Sequence, residues 1–194
     1  DLPDVPPLLR VPLAFQYDRG TRFAARALQA GGWGAIDQAH RDPPASTEQV
    51  LHPERYFEQR DEPTPVTIGD RRVLAATGWR PVLEDTVGEL GVRVVLHDLG
   101  ANVAEAAADG WDGDRLRAYQ RHDEIVSVWL TTWDDDAAAS EFDAAVTQAW
   151  PGARTERRHR HVLVVKAAPE TGADAQRLLA AVWSASTVDG SGPR

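Results

Sequence analysis

Apolar positions recur with a helical period in the first half of the chain and with a period of two in the last third. Phe23, Ala24, Ala27 and Leu28 follow the rhythm of one buried helix face, with Arg19, Arg22 and Arg26 on the other side. This helix is expected to begin near Phe15 or Tyr17, after an extended lead-in whose four prolines within residues 1–13 block helix and central strand alike. Gly31-Gly32 stops it by supplying a left-handed conformation. Trp33 and Ile36, with Ala39 and His40 at the edge, form a second short amphipathic helix that ends before Pro43-Pro44. Ser46 caps a third, with Gln49 reaching back in a capping box. Val50 and Leu51 then face inward, and Pro53 sets His52, Glu54 and Tyr56 around a fixed corner.

Residues 57–82 mix charge with Pro63, Pro65, Gly69 and Gly78 and hold one short apolar piece, Val73 to Ala76, which reads as a linker with one short strand. A further helix is expected from about Glu84 to Leu96, with Val87, Leu90, Val94 and Val95 inward and Gly88 and Gly91 permitting close approach. Asn102 caps the next, which runs to about Asp109 and closes at Gly110. The period then changes. Leu116 to Gln120 and Ile125 to Trp133, separated by Arg121 to Glu124, suit a β-hairpin whose Val126, Val128 and Leu130 alternate with Ser127, Trp129 and Thr131. Asp134 to Asp136 cap a helix lined by Phe142, Ala145, Val146 and Ala149. Arg154 to His159 and His161 to Ala167 read as strands, with Val162 to Val165 central, and a last helix from Gly172 to Ser184 buries Leu178, Leu179 and Val182. The class is α+β: a helical first half, then a small antiparallel β-sheet with helices on one face. This divides the chain into a helical segment over 1–60, a linker over 61–82, an α+β portion over 83–186 and a disordered tail over 187–194.

Composition removes several function classes. A net charge of −9 opposes nucleic-acid binding, since phosphate recognition needs a clustered positive field and only Arg154 to His161 offers one. With no cysteine there is neither a disulfide framework nor a thiolate zinc site. No apolar run reaches the roughly 18 residues of a membrane-spanning helix. The chain contains no methionine and begins at Asp1 in a Pro-rich run, so it reads as a piece of a longer protein.

No complete catalytic set is present. Zinc needs three or four ligands on a rigid frame, and no His-Glu-x-x-His occurs. His159 and His161 could share a strand face, but Arg157, Arg158 and Arg160 would repel a cation. Asp112 and Asp114 in GWDGD lack the spaced ligands and closing glutamate of an EF-hand and read as a tight turn before the hairpin. Ser46, Ser127 and Ser140 have no nucleophile-elbow context, and Gly31 to Gly34 lacks the spacing of a phosphate-binding loop.

At Tyr17-Asp18-Arg19-Gly20 with Phe23, at Gly31-Gly32-Trp33, and in the run from Pro43 to Tyr56 that contains STEQVLHPERY, the sequence resembles a bacterial family of gluzincin-type zinc-metallopeptidase-like proteins. The resemblance spans most of residues 10–150, including Gly110-Trp111 and Gly113 to Arg115, and is strongest over 15–56. It implies an exported or membrane-anchored protein, hence an extracellular or cell-envelope location. The zinc histidines, general-base glutamate and third ligand of that family would lie before Asp1. By this resemblance the chain is the C-terminal scaffold and substrate-side portion of such a protein, partnered by the missing N-terminal portion and by a peptide or protein substrate. No cofactor is then held by this chain, and zinc is left to the intact parent. The resemblance offers Tyr17, in its Tyr-x-x-Gly context at a helix start, as an oxyanion donor, and His52 as a second catalytic position, both only in the intact parent. The bland alternatives are an aromatic packed at a helix start for Tyr17, and a structural corner in which His52 caps its helix, Glu54 pairs with an arginine and Tyr56 packs with its hydroxyl bonded. A non-enzymatic binding or interaction domain is the competing function. The isolated chain is expected to cleave no peptide and to retain no stoichiometric zinc; elemental analysis finding about one tightly held zinc per chelator-washed chain would contradict this.

Overall fold

The computed structural model describes residues 5–69, 78–167 and 172–188, and the side chains of all of these except residues 8 and 172–178. The apolar piece Val73 to Ala76, the side chain of Leu178 and the end of the chain from residue 189 lie outside the described residues.

Helix α1 runs from Pro7 to Arg41 with a break at Gly31 (φ −165°) and Gly32 (φ 63°, ψ −149°), so the Gly-Gly pair separates two helical segments as its composition requires. The start differs from the expected lead-in. Pro7 occupies the first turn, where a missing N–H costs nothing, and Pro12 is carried inside the helix. Phe23 and Ala27 are buried as expected, but Leu28 and Trp33 are exposed, because no described residue packs over them. Two short helices follow, α2 (Thr47–Leu51) and α3 (Glu54–Phe57), turned about Pro53.

In place of a helix from Glu84, an edge strand β2 (Arg80–Asp85) precedes the helix α4 (Gly88–Val95). Pro81 and the exposure of every β2 residue fit an edge position, where a missing N–H breaks no ladder. A single 3₁₀ turn (His97–Leu99) leads to α5 (Ala101–Ala106). Gly100 (φ 99°), and not Asn102, stands at its N-cap. Gly110 (φ 76°) closes the segment.

The predicted hairpin forms and is longer than its alternating core: β3 (Trp111–Arg121) and β4 (Glu124–Trp133) turn through His122 and Asp123, with His122 at φ 52°. GWDGD is therefore the start of a strand, not a turn. Its Gly113 lies so close to the Thr64 carbonyl that a Cβ there would sit 2.2 Å from the oxygen. After helix α6 (Asp136–Ala149), capped by Asp135 onto the N–H groups of Ala137 and Ala138 at 2.8 and 2.9 Å, come β5 (Arg154–Arg158) and β6 (His161–Ala167). The sheet order is β2-β3-β4-β6-β5, antiparallel throughout, which places Val162 to Val165 centrally.

Alternation along β4 builds two cores. Trp129 and Trp133 join Trp111, Val162 and Val164 beneath α6, where Phe142 stacks on Trp133 (4.7 Å) and meets Trp129 edge-on (5.3 Å), with Val92 and Leu96 closing the layer. Val126, Val128 and Leu130 face the other way, onto Tyr119, Leu163 and Val165 and onto Leu179 and Val182 of helix α7 (Gly172–Ala185). The class is α+β as expected, but helices cover both faces, since an aliphatic face this continuous cannot be left in water. Within the expected linker, Val66–Thr67 form strand β1, which pairs with Thr187–Val188 (β7), so the first two residues of the expected disordered tail are a strand. Among the described residues no helix is long and apolar enough to cross a membrane.

Phe142 is completely buried between two indole rings. Phe142→Ala is expected to cost about 3–5 kcal/mol in denaturant unfolding, with the cavity and lost contacts adding to the transfer term.

Candidate functional site

The corner made by Ser46 to Phe57 buries two polar side chains, Glu48 and Gln49. Ser46 Oγ accepts the Gln49 N–H at 3.3 Å, so the cap forms. Gln49 Oε1 takes the N–H of Ala45 instead of Ser46 (2.7 Å), and its Nε2 donates to the Asp61 carbonyl at 2.6 Å. That satisfaction is what lets an amide be fully buried. Val50 and Leu51 are only half-buried, and the inward positions of α2 belong to Glu48 and Gln49. Tyr56 is buried against Phe23 and Phe57, with its hydroxyl donating to the Asp42 carbonyl at 2.5 Å.

Two ion-pair systems tie this corner to the sheet domain. In the first, Glu48, 2% exposed, receives the Arg55 guanidinium, which also reaches Asp134 at the start of α6 (3.4 Å). The expected arginine partner of Glu54 is therefore absent among the described residues. Glu54 stays exposed, 3.8 Å from His52 Nδ1, and its neighbour Arg55 turns inward. In the second, Glu89 of α4, 1% exposed, uses Oε1 to accept from His52 Nε2 (3.1 Å) and from Arg93 Nη2 (2.6 Å). Arg93 Nη1 continues to Glu105 of α5 at 3.0 Å.

Three N–H groups at the N-terminus of α4 are bound by distant elements. Asp114 of β3 accepts the N–H groups of Val87 and Gly88, both at 2.8 Å, and the Trp111 indole N–H at 2.9 Å. Thr47 Oγ1 accepts the Leu90 N–H at 3.2 Å. Gly88 (φ 70°) passes so near Thr47 that a Cβ would lie 2.8 Å from its hydroxyl.

Burial pushes the Glu48 carboxyl up to about 8 against the pull of Arg55. Asp114 and Asp134 are likewise raised, first by burial. His52 is raised because the hydrogen bond to Glu89 favours the imidazolium more than burial opposes it. A carboxyl with a near-neutral pKa is the sort of group that acid–base catalysis uses. Glu48, the group so placed, is closed in by partners of the chain itself.

The two sequence-derived site residues are not brought together. His52 is the C-cap of α2 and a member of the Glu89 system. Tyr17 stands in mid-helix, 79% exposed, neither at a helix start nor packed, because α1 begins at Pro7. No hydrogen bond to its hydroxyl exists among the described residues. His159 sits in the β5–β6 turn (φ 51°) with its ring 90% exposed, while His161 is half-buried with its pKa lowered by burial and by Arg160. No group of three or more His, Asp or Glu placed to hold a metal occurs among the described residues. Glu48, Arg55, Glu89 and Arg93 escaped sequence reading, and Asp114 reads there only as part of a turn, because the contacts that bury them, Arg55 to Asp134, Glu89 to His52 and Asp114 to the start of α4, join distant parts of the chain.

Beside the Glu89 system, α1, α2, α4 and α5 enclose a cavity of about 290 Å³. Val11, Phe15, Leu51 and Leu90 contribute apolar walls, and Asp18, Arg19, Arg93, His97 and Glu105 supply charge and hydrogen-bonding capacity.

Fold and site together define a two-cored antiparallel α+β domain to which a helical arm is docked by buried ion pairs. The chain belongs to the family described as Domain of unknown function (DUF8575), which it matches over residues 71–188. The Ser46 to Phe57 corner thus precedes the matched span. Neither the curated proteins nor the solved structures contain a match to this chain.

Because the His52 and Glu48 shifts are both upward, the stability they contribute is greatest below the unfolded-state values of 6.5 and 4.5 and is lost as pH rises through the folded-state ones. The melting temperature is expected to fall between about pH 5 and about pH 9 on account of these groups, and Glu48→Gln to flatten that profile. Arg55→Met, which leaves the buried Glu48 carboxyl without its partner, is expected to cost about 1–3 kcal/mol in denaturant unfolding near neutral pH, where burial holds that carboxyl protonated.

Proposed function

We propose that this chain is a binding portion, catalytically silent by itself, whose ligand site is the cavity between α1 and α4. The observation that carries the reading is the contrast between two neighbouring places. In the buried cluster, Glu48 is spent on Arg55, Glu89 on His52 and Arg93, and Asp114 on backbone N–H groups. None of these three carboxyls lines the cavity, whereas Arg93 reaches it. Beside them lies the cavity, with apolar walls and charged groups of both signs.

Its size is at the lower limit of small-molecule sites and suits one large apolar side chain. Arg19, His97 and Asp18 would pair with the polar groups on either side of such a side chain, so a peptide segment is the ligand class. Within a larger metallopeptidase-like protein of the cell envelope, as the resemblance at STEQVLHPERY implies, the same site would hold substrate or partner chain beside a catalytic portion that supplies the zinc. His52 would then serve as support, by holding Glu89 and through it Arg93, while the exposed Tyr17 stands outside the cavity.

N-acetyl-phenylalaninamide titrated into the full chain should produce saturable NMR shifts confined to the methyl groups of Leu51, Leu90 and Ala104. Leu90→Trp, which fills the cavity, should abolish them. Absence of saturable shifts, or shifts that persist unchanged in Leu90→Trp, would refute the assignment of the site.

A further inference from the structure

Helix α1 carries one apolar face that no described residue covers. Leu9, Leu13 and Tyr17 follow one another at single helical turns and are 59%, 55% and 79% exposed. The line continues through the half-buried Gly20 and Ala24 to Leu28, 42% exposed. It is a different side of the helix from the one that presents Val11, Phe15 and Asp18 to the cavity, and it borders the stripe that buries Phe23 and Ala27. The six residues include no charge in a chain that is 26% charged. Depletion of charge is the compositional mark of an interface core.

The order of sizes along the line selects the occupant. Read from opposite ends, Leu9 meets Leu28, Leu13 meets Ala24, and Tyr17 meets Gly20, so each of the two inner large residues falls opposite a small one. At Gly20 a Cβ would find no atom within 4 Å, which leaves an open notch among the described residues. We propose that two copies of the chain associate through this line, their α1 helices antiparallel about a two-fold axis between Tyr17 and Gly20, with each Tyr17 ring seated in the partner's Gly20 notch.

A two-fold contact is isologous, so one self-complementary surface supplies both sides. A parallel pairing would set Tyr17 against Tyr17 and notch against notch, crowding one level and emptying the next. A membrane surface fits less well. Arg19 and Arg22 are paired with Asp18 and Arg26 with Glu58, all away from the line, and the one cation beside it, Arg10, is a single charge where lipid phosphates call for a basic cluster. One helix pair is a small contact, so the association belongs on the order of micromolar affinity.

Sedimentation equilibrium of the full chain should therefore show a reversible dimer. Leu13→Glu, an exposed change whose fold is checked by circular dichroism, should weaken the dimer at least about tenfold. Gly20→Gln gives opposed readouts. Replacing a helical glycine should raise the melting temperature of the monomer, yet filling the notch should weaken association. Because the chain has no cysteine, Leu13→Cys and Ala24→Cys proteins can be mixed and oxidised. The mixture should cross-link far faster than Leu13→Cys alone. A chain that stays monomeric at several hundred micromolar, a dimer indifferent to Leu13→Glu or Gly20→Gln, or Leu13→Cys that cross-links by itself as fast as the mixture would each overturn the arrangement.

Discussion

The Asp114 carboxylate is the constraint on which the middle of the molecule depends. It is 3% exposed and takes two backbone N–H groups of the α4 start together with the Trp111 indole N–H. Without it the first donors of α4 would be buried and unpaired, each at a cost of about 1–3 kcal/mol. An aspartate on a strand thus fixes where a helix begins. The two register-setting glycines, Gly88 and Gly113, lie at points where backbone passes within contact of another segment.

From that anchored helix the buried charges radiate outward. Glu89 holds His52 and Arg93, Arg93 holds Glu105, and Glu48 holds Arg55, which reaches Asp134. Such pairs add little net stability, because desolvation offsets most of the Coulombic attraction, but removing one member is costly. Their effect here is orientational. An apolar contact between the arm and the domain could slide, whereas a histidine and an arginine each satisfied only in one geometry set α2 and α3 in one place.

Helix α1 sits outside this rigid joint and has work on three sides. Phe23 and Ala27 anchor it to the corner, Val11 and Phe15 wall the cavity, and Leu9, Leu13 and Tyr17 look outward. The Gly31-Gly32 break lets the second segment turn toward Tyr56, whose hydroxyl is bound by Asp42 just past the helix end.

Periodicity alone was enough to read the α+β class, the β3–β4 hairpin, the Asp135 cap, the central apolar strand at Val162 to Val165 and the Ser46 cap, since each depends on residues within a few positions of one another. Local punctuation misled where a distant partner decides. Glu84 belongs to a strand because β3 is there to pair with it, and Leu28 and Trp33 are exposed because no neighbour arrives to cover them. The corner at STEQVLHPERY was legible as a corner, but sequence drew attention to His52 and Tyr17, while the buried positions are Glu48 and Glu89, 41 residues apart. Sequence spacing can place side chains on a common face within one element. Which carboxylates lose their water, and which cation is brought to each, is settled only when the elements pack.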